Sequence, residues 1–417
     1  INLKSGQMNI KRNDFNKQKI LNFGVLLFAI FPVLPNKIKG LPVVFLVLVS
    51  FIYFKKTKIN FRFFLLNASL YIIYLFAFFF SNHKGAIGSL LETSLSVLCL
   101  PLVFNVLISH VRFDQRVRLK FYNLFIISTF LFAILILFNV LIDDATIYYS
   151  NWYTNKARTI IENIAFIGQH PIYASVFFGI SILFAVDILK NTENKISNKA
   201  FYYSAILFNL FLLLFFISKG VLLALLITLF AVFFMNTKWT KKKFYFLFLS
   251  VFLISCLFTF NRRMNELINI DTYKTVNTNY STGLRVGIYK CVYGLAKDNW
   301  VLGYGPGNTQ EVLNECYESN SPVLLEKTYN SHNQYLDVLL KTGIFGLLVF
   351  LFFLIINYVK AKENKNFIVT YILIFYCIIF LIENILLRQS GVILFYFFIT
   401  FFNKVDSLKH NGNARVK

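Results

Sequence analysis

The chain has 417 residues, of which 57% are apolar and only 15% charged, with a formal net charge of +23 and a mean hydropathy of +0.62. A soluble protein of this length would divide into two or more cores and carry more charge, so a soluble globular architecture is excluded. The apolar residues instead fall in runs of about 17 to 25, the length that crosses a bilayer as a helix.

Twelve spans are expected, near 20–35, 38–54, 63–81, 86–109, 120–142, 171–189, 201–217, 220–236, 244–260, 343–359, 367–387 and 390–403. The basic stretch 8–19 reads as a flank of the first span, not as a cleavable leader, because further spans follow. Lysines and arginines number 27 on the side of the termini, 7 in the opposite short loops and 8 in the long loop 261–342. Positive loops stay in the cytoplasm, and long loops translocate largely regardless of charge. Both termini are therefore expected inside and the long loop outside. The positive charge is accounted for by this bias, without a nucleic-acid partner. The fold expected is an all-α polytopic membrane protein, one domain over 1–417 with 261–342 inserted into it. The 51 phenylalanines are read as composition, not as a cofactor or stacking signal.

A smaller external segment, 143–170, ends at His170-Pro171, where proline suits the first turn of the next helix. Within the long loop, 261–270 continues span nine, with Arg262 and Arg263 just outside the bilayer. The Thr- and Asn-rich stretch 272–282 is expected to be irregular. Leu284, Ile288, Cys291, Val292 and Leu295 recur at helical spacing, which predicts an amphipathic helix over 283–297 lying on the membrane. Gly303-Tyr304-Gly305-Pro306-Gly307 must turn, and 308–319 is expected to form a short helix. Ser331 or Asn330 is expected to cap the helix that carries His332 into the membrane.

Cys99, Cys256 and Cys377 lie in spans as small apolar residues. Cys291 and Cys316 share the external loop, where oxidation is permitted, and the sequence leaves open whether they bond. No spacing resembles a zinc site.

The polar segment Ser331-His332-Asn333-Gln334-Tyr335 at the head of a span carries the strongest chemical signal. Ionisable groups at that depth usually line polar cavities, although a surface histidine at a helix cap fits the position equally. Asn333 and Gln334 add amide donors and acceptors. Arg285, at the start of the amphipathic helix, could grip a phosphate bidentately or merely meet lipid headgroups. Lys219, in the tight turn Ser218-Lys219-Gly220, is either a snorkelling cation or one held at a site. Glu383 and Arg388 mark the external end of span eleven, facing a polar cavity or anchoring the interface. A phosphate-loop reading of the glycine-rich turn fails, since no GK[ST] follows and no strand precedes it.

At these residues the chain resembles the O-antigen ligase/polymerase family of integral membrane glycosyltransferases. His332-Asn333, nine residues and then Gly343, with Gly346 beyond, matches the family's pattern of His, an amide or hydroxyl residue, nine residues and Gly. Ser281 to Arg285, then Trp300 to Gly307, resembles the family's arginine-then-glycine external loop. Ser218-Lys219-Gly220 resembles a turn that often reads Ser-Arg-Gly, with lysine here in place of arginine. The clear resemblance covers roughly 200–400. It implies a GT-C-like fold with a large helical periplasmic loop between helices nine and ten, in a bacterial inner membrane. It also implies inverting transfer of a glycan from a polyprenyl-diphosphate carrier without metal or cofactor.

In that chemistry Arg285, with Lys219, Arg262 or Arg388, would hold the diphosphate. His332, whose imidazole ordinarily titrates near 6.5, would accept the proton of the acceptor hydroxyl; alternatively it only positions the diphosphate. The acceptor would be the lipid A core, another lipid-linked glycan or a protein hydroxyl, with the surrounding membrane lipids as the remaining partners. The competing reading is a transporter or flippase. Against it, neither repeat halves nor interrupted midplane helices are evident.

Overall fold

The computed structural model describes residues 12–54, 59–80, 83–108, 115–143, 160–191, 199–216, 218–234, 268–273, 276 and 281–414. All regular structure among them is helical. In chain order the α-helices are α1 (Arg12–Ala29), α2 (Leu41–Phe54), α3 (Phe61–Phe80), α4 (Lys84–Leu107), α5 (Gln115–Asp143), α6 (Pro171–Asn191), α7 (Lys199–Phe216) and α8 (Lys219–Phe234). After them come α9 (Ser281–Asp298), α10 (Thr309–Asn320), α11 (Gln334–Glu363), α12 (Phe367–Phe380) and α13 (Gln389–Ala414). Six stretches among the described residues are long and apolar enough to cross a membrane, and five further apolar helices are shorter. Span nine, expected at 244–260, lies outside the described residues, as do Arg262 and Cys256.

The bundle centres on α13. Residues 391–400 are buried without a break, which is what a helix apolar on every side requires. Its phenylalanines pack on those of neighbouring helices, Phe397 stacked on Phe28 at 4.0 Å and Phe401 tilted against Phe104 at 5.1 Å. The phenylalanine content thus builds the core. Helix α4 packs on α2, α3 and α13, while α12 packs on α6, α8, α11 and α13. Asn67, Asn357 and Asn403 join α3, α11 and α13 through buried amide hydrogen bonds of 3.2 and 3.0 Å.

Helices α9 and α10 form a second small core of Ile288, Val292, Leu313, Tyr317 and Leu324, against which Leu340 of α11 packs. The expected amphipathic helix and the short helix after it are both present, and Pro171 does open α6. Cys291 and Cys316 are bonded, with Cα atoms 5.8 Å apart. The bridge closes 25 residues, a loop whose constraint is worth about 3–4 kcal/mol by chain entropy. Cys291→Ser/Cys316→Ser should therefore leave the bundle intact but speed proteolysis of the α9–α10 segment. Unchanged cleavage would show that packing alone holds it.

The first helix stops at Ala29 and the last runs on to Ala414, and two further boundaries, beside the site, also differ from expectation. Span ten begins at Gln334, not 343, because its first turns carry polar residues that the protein buries. Asp337 and Lys341 pair at 2.6 Å, and Gln334 Oε1 accepts the Leu386 N–H at 2.8 Å. Hydropathy reads such residues as loop. Span eleven stops at Phe380, and residues 381–388 form a turn with a 3₁₀ segment, Ile385–Leu387.

Gly343 marks a kink inside α11, with φ +65°. The helical bond that Ile344 N–H would make to Leu340 C=O is replaced by two bonds to the glycine-rich turn. Ile344 N–H donates to Trp300 C=O at 2.8 Å, and Tyr304 N–H donates to Leu340 C=O at 2.7 Å. Neither group is orphaned, as burial demands. A Cβ on Gly343 would lie 2.0 Å from Val301 O, and one on Gly303 would lie 2.7 Å from Gly343 N. The tight turn after α9 and the kink in α11 are one unit, welded backbone to backbone.

Candidate functional site

The site is where the N-termini of α8, α9 and α11 meet the 381–388 turn. His332 is not inside a helix. Its φ of +45° is left-handed and incompatible with one. Asn333 is the N-cap, accepting from Tyr335 N–H and Leu336 N–H at 3.0 Å each. The caps expected at Ser331 or Asn330 are thus corrected by two or three residues. Asn330 serves instead by accepting the His332 N–H at 2.9 Å, and Tyr289 of α9 donates to His332 C=O at 3.1 Å. A left-handed non-glycine residue costs about 1–3 kcal/mol and persists only when over-determined by its surroundings. These two bonds supply that constraint. Tyr335 turns into the bundle and donates to Cys377 C=O at 3.0 Å.

Glu383 ties the site together. Its Oε2 lies 2.9 Å from His332 Nδ1, and its Oε1 accepts from Arg285. The three side chains are 11%, 21% and 26% exposed for Glu383, His332 and Arg285. Burial pushes the Glu383 carboxyl up. The hydrogen bond from His332 and the charges of His332, Arg285 and His170 outweigh it, and hold the carboxyl below its ordinary value of 4.5. An ionised carboxylate only accepts hydrogen bonds. His332 Nδ1 therefore presents its proton to the carboxylate, and whenever the ring holds a single proton Nε2 is the acceptor.

Because the folded value is depressed, this carboxylate contributes stability that is present above its unfolded pKa and is lost as pH falls through the folded one. Wild-type protein should thus lose thermal stability below pH 4.5, and Glu383→Gln should flatten that limb of the profile. Equal acid slopes for the two proteins would exclude Glu383 as the group responsible.

A cleft opens beside the trio. Ser218, Lys219 and Gly220 of the tight turn, Ser281 and Arg285 of α9, and Glu383 line it. Gly220 lets α8 approach closely, since a Cβ there would sit 3.1 Å from the Ile382 side chain. The Nε of Arg285 is buried and finds no acceptor among the described residues.

Of the eight residues singled out in the sequence, Lys219, Arg285, His332 and Glu383 converge. Asn333 and Gln334 are adjacent, but much of their capacity goes to the scaffold. Asn333 also donates to Leu381 C=O at 3.1 Å, and Gln334 accepts from Leu386 N–H. Arg388 stands apart, its guanidinium 5.8 Å over the Tyr173 ring. Arg262 lies outside the described residues. Tyr289 was missed, and Asn384, which the sequence shows beside Glu383 at the span end but which was not singled out as a site residue, donates to Ser331 Oγ at 2.9 Å. Asn384 follows Glu383 directly, so the polar pair Glu383-Asn384 at a span end was its available signal; Tyr289 had none.

Among the described residues no group of three or more His, Cys, Asp or Glu side chains could hold a metal ion. Residues 204–351 match the family model described as O-Antigen ligase, roughly a third of the chain. The match bears out the resemblance to the O-antigen ligase/polymerase family. It takes in α8, α9, α10 and α11 as far as residue 351, and stops short of Glu383. No curated protein matches the chain.

Proposed function

We infer, from the premise that residues 204–351 carry an O-antigen ligase-type domain, that the chain transfers a glycan from a polyprenyl-diphosphate carrier to an acceptor hydroxyl. The membrane orientation proposed with it places both termini in the cytoplasm and the site at the periplasmic face of the inner membrane. The twelve-span count, the single membrane domain and the periplasmic placement of 261–342 belong to this reading. One observation carries the chemistry: Glu383 bridges His332 and Arg285, so a base and a cation are held by one buried carboxylate.

A glycosyl diphosphate already has a good leaving group. What remains is to remove the acceptor's proton and to stabilise charge on the departing diphosphate. The acceptor oxygen attacks the anomeric carbon, the bond from that carbon to the diphosphate oxygen breaks, and the proton passes to His332 Nε2. Arg285 and Lys219, which line the cleft together, meet the diphosphate. Glu383 fixes the tautomer of His332 and the aim of Arg285. Donors clustered at the mouths of α8 and α9 suit an anion for the further reason that helix N-termini present free N–H groups. Lysine at 219 offers a point charge where arginine would offer a fork.

The transport reading loses ground on geometry. His332 and Arg285 converge at one end of the bundle, and the charged groups next along α11, Asp337 and Lys341, are paired with each other.

The discriminating experiment deletes the chromosomal copy in the native host and resolves the extracted lipopolysaccharide on a gel, with rescue by wild type. Core lacking polymer while lipid-linked polymer accumulates makes the protein a ligase. Core bearing a single repeat makes it a polymerase. An unchanged ladder moves the acceptor to protein, or the function to transport.

A further inference from the structure

Just beyond the end of α9 come three consecutive apolar residues, Trp300, Val301 and Leu302, and the structure leaves them outside its own core. Trp300 is 53% exposed and Leu302 is 73% exposed. In an aqueous loop these side chains would be an unexplained apolar patch. We propose that this tip is a wedge seated in the phospholipid leaflet on the site's face of the membrane.

Depth is the first argument. On α11, Phe345, Leu348, Phe352, Ile355 and Val359 are exposed at helical spacing and form one lipid-facing stripe, which ends before Lys360 and Lys362. A hydrocarbon core of about 30 Å corresponds to about 20 helical residues. Counted back from Val359, that distance reaches Leu340. The kink at Gly343, to which the tip is welded, therefore lies about one turn inside the hydrocarbon boundary. Phe345, the top of the stripe at 66% exposed, is two residues from that weld. The tip continues an apolar surface that already faces lipid.

Hydrogen bonding is the second. Irregular backbone enters a bilayer only as far as its polar groups are satisfied within the protein, and the residues flanking the tip meet that condition. Here Asn299 N–H donates to Leu295 C=O at 3.1 Å, Gly303 N–H to Asn299 C=O at 3.0 Å, and the Asn299 side chain to Gly303 C=O at 2.8 Å. Trp300 C=O is engaged by Ile344 N–H.

Charge is the third. Lys290, Tyr293 and Lys297 share the exposed face of α9 leading to the tip, with Asp298 the only acid on that face. Lysines and a tyrosine above an apolar tip carrying tryptophan match the order of phosphate, interface and acyl chain. The disulfide and the glycine weld hold the wedge at a fixed height. Binding to lipid would then set the level of α9 above the bilayer, with Arg285 at its other end.

The test uses the full chain in nanodiscs of phosphatidylcholine and phosphatidylglycerol, with and without acyl-brominated lipid. Tryptophan emission is compared between wild type and Trp300→Phe, so that Trp152 and Trp239 cancel. The component assigned to Trp300 should be quenched by bromolipid and resist aqueous acrylamide. Quenching by acrylamide with no response to bromolipid overturns the proposal. Independently of whether Trp300→Phe folds, p-benzoylphenylalanine incorporated at position 302 should yield phospholipid adducts on irradiation. Adducts confined to protein segments would also overturn it.

Discussion

His332→Ala should lower glycan transfer by about 10²–10⁴-fold, the usual worth of a positioned general base, while the protein still purifies as a folded species. Glu383→Gln should recover little of what Glu383→Ala loses. The carboxylate serves two donors with two oxygens, His332 at Oε2 and Arg285 at Oε1. Glutamine has one carbonyl and one NH₂, so it must turn a donor toward one of them. Turned toward His332, the amide forces the proton from Nδ1 to Nε2 and removes the acceptor that the hydroxyl needs. Groups that act as one unit are not additive. The double variant His332→Ala/Glu383→Gln should therefore be hardly worse than His332→Ala alone. Multiplying losses would mean that Glu383 acts elsewhere, and full activity of His332→Ala in purified transfer would remove the base from the mechanism. A separate signature is expected for Arg285→Ala: in the proposed mechanism the guanidinium would meet the diphosphate in both ground and transition states, so KM for the donor should rise as well as kcat fall.

Gly343→Ala should be the most damaging small substitution in the chain. The left-handed φ alone costs about 1–3 kcal/mol for a residue with a side chain. The added Cβ would also lie 2.0 Å from Val301 O. The obstacle is backbone on both sides, not a flexible side-chain end, so the weld must open. Opening it returns Ile344 N–H and Leu340 C=O to each other and releases the 300–304 turn. The expected readouts are a lowered Tm in detergent, faster proteolysis between α9 and α10, and lost transfer despite an intact His332. Gly303→Ala should behave alike, since its Cβ would meet Gly343 N and Leu340 O, and combining the two should cost little more than either. A Gly343→Ala protein with wild-type Tm and activity would refute the welded kink.

The glycine of the sequence pattern thus has a physical reason. Nine residues separate Asn333 from Gly343 because they form the turns of α11 between the cap and the kink. At the upper end Asn333 starts the helix and leaves His332 outside it. At the lower end Gly343 admits the turn after α9, so the middle of α9 and the turn that follows it are registered against the head and the kink of α11: Tyr289 at His332, and Trp300 at Ile344.

Sequence alone determined what local physics determines. Apolar runs of bilayer length mark helices, since lipid offers no backbone partner and the helix supplies its own. Periodicity at Leu284, Ile288, Cys291 and Leu295 marked α9, and glycines with proline marked the turn after it. The residues of the site were legible as polar types stranded at span ends, and Cys291 with Cys316 were legible as a candidate pair. Only the tertiary structure decided who meets whom. Glu383 stands beside Arg388 in the chain, yet it pairs with His332, 51 residues before it, and with Arg285, 98 residues before it. The fold brings the end of α12 against the mouths of α9 and α11, and a carboxylate excluded from water must find its hydrogen-bond donors there. The start of α11 was hidden for the same reason. Asp337, Lys341 and Gln334 look like loop to any measure of hydropathy, because the partners that make their burial affordable are known only once the chain has folded.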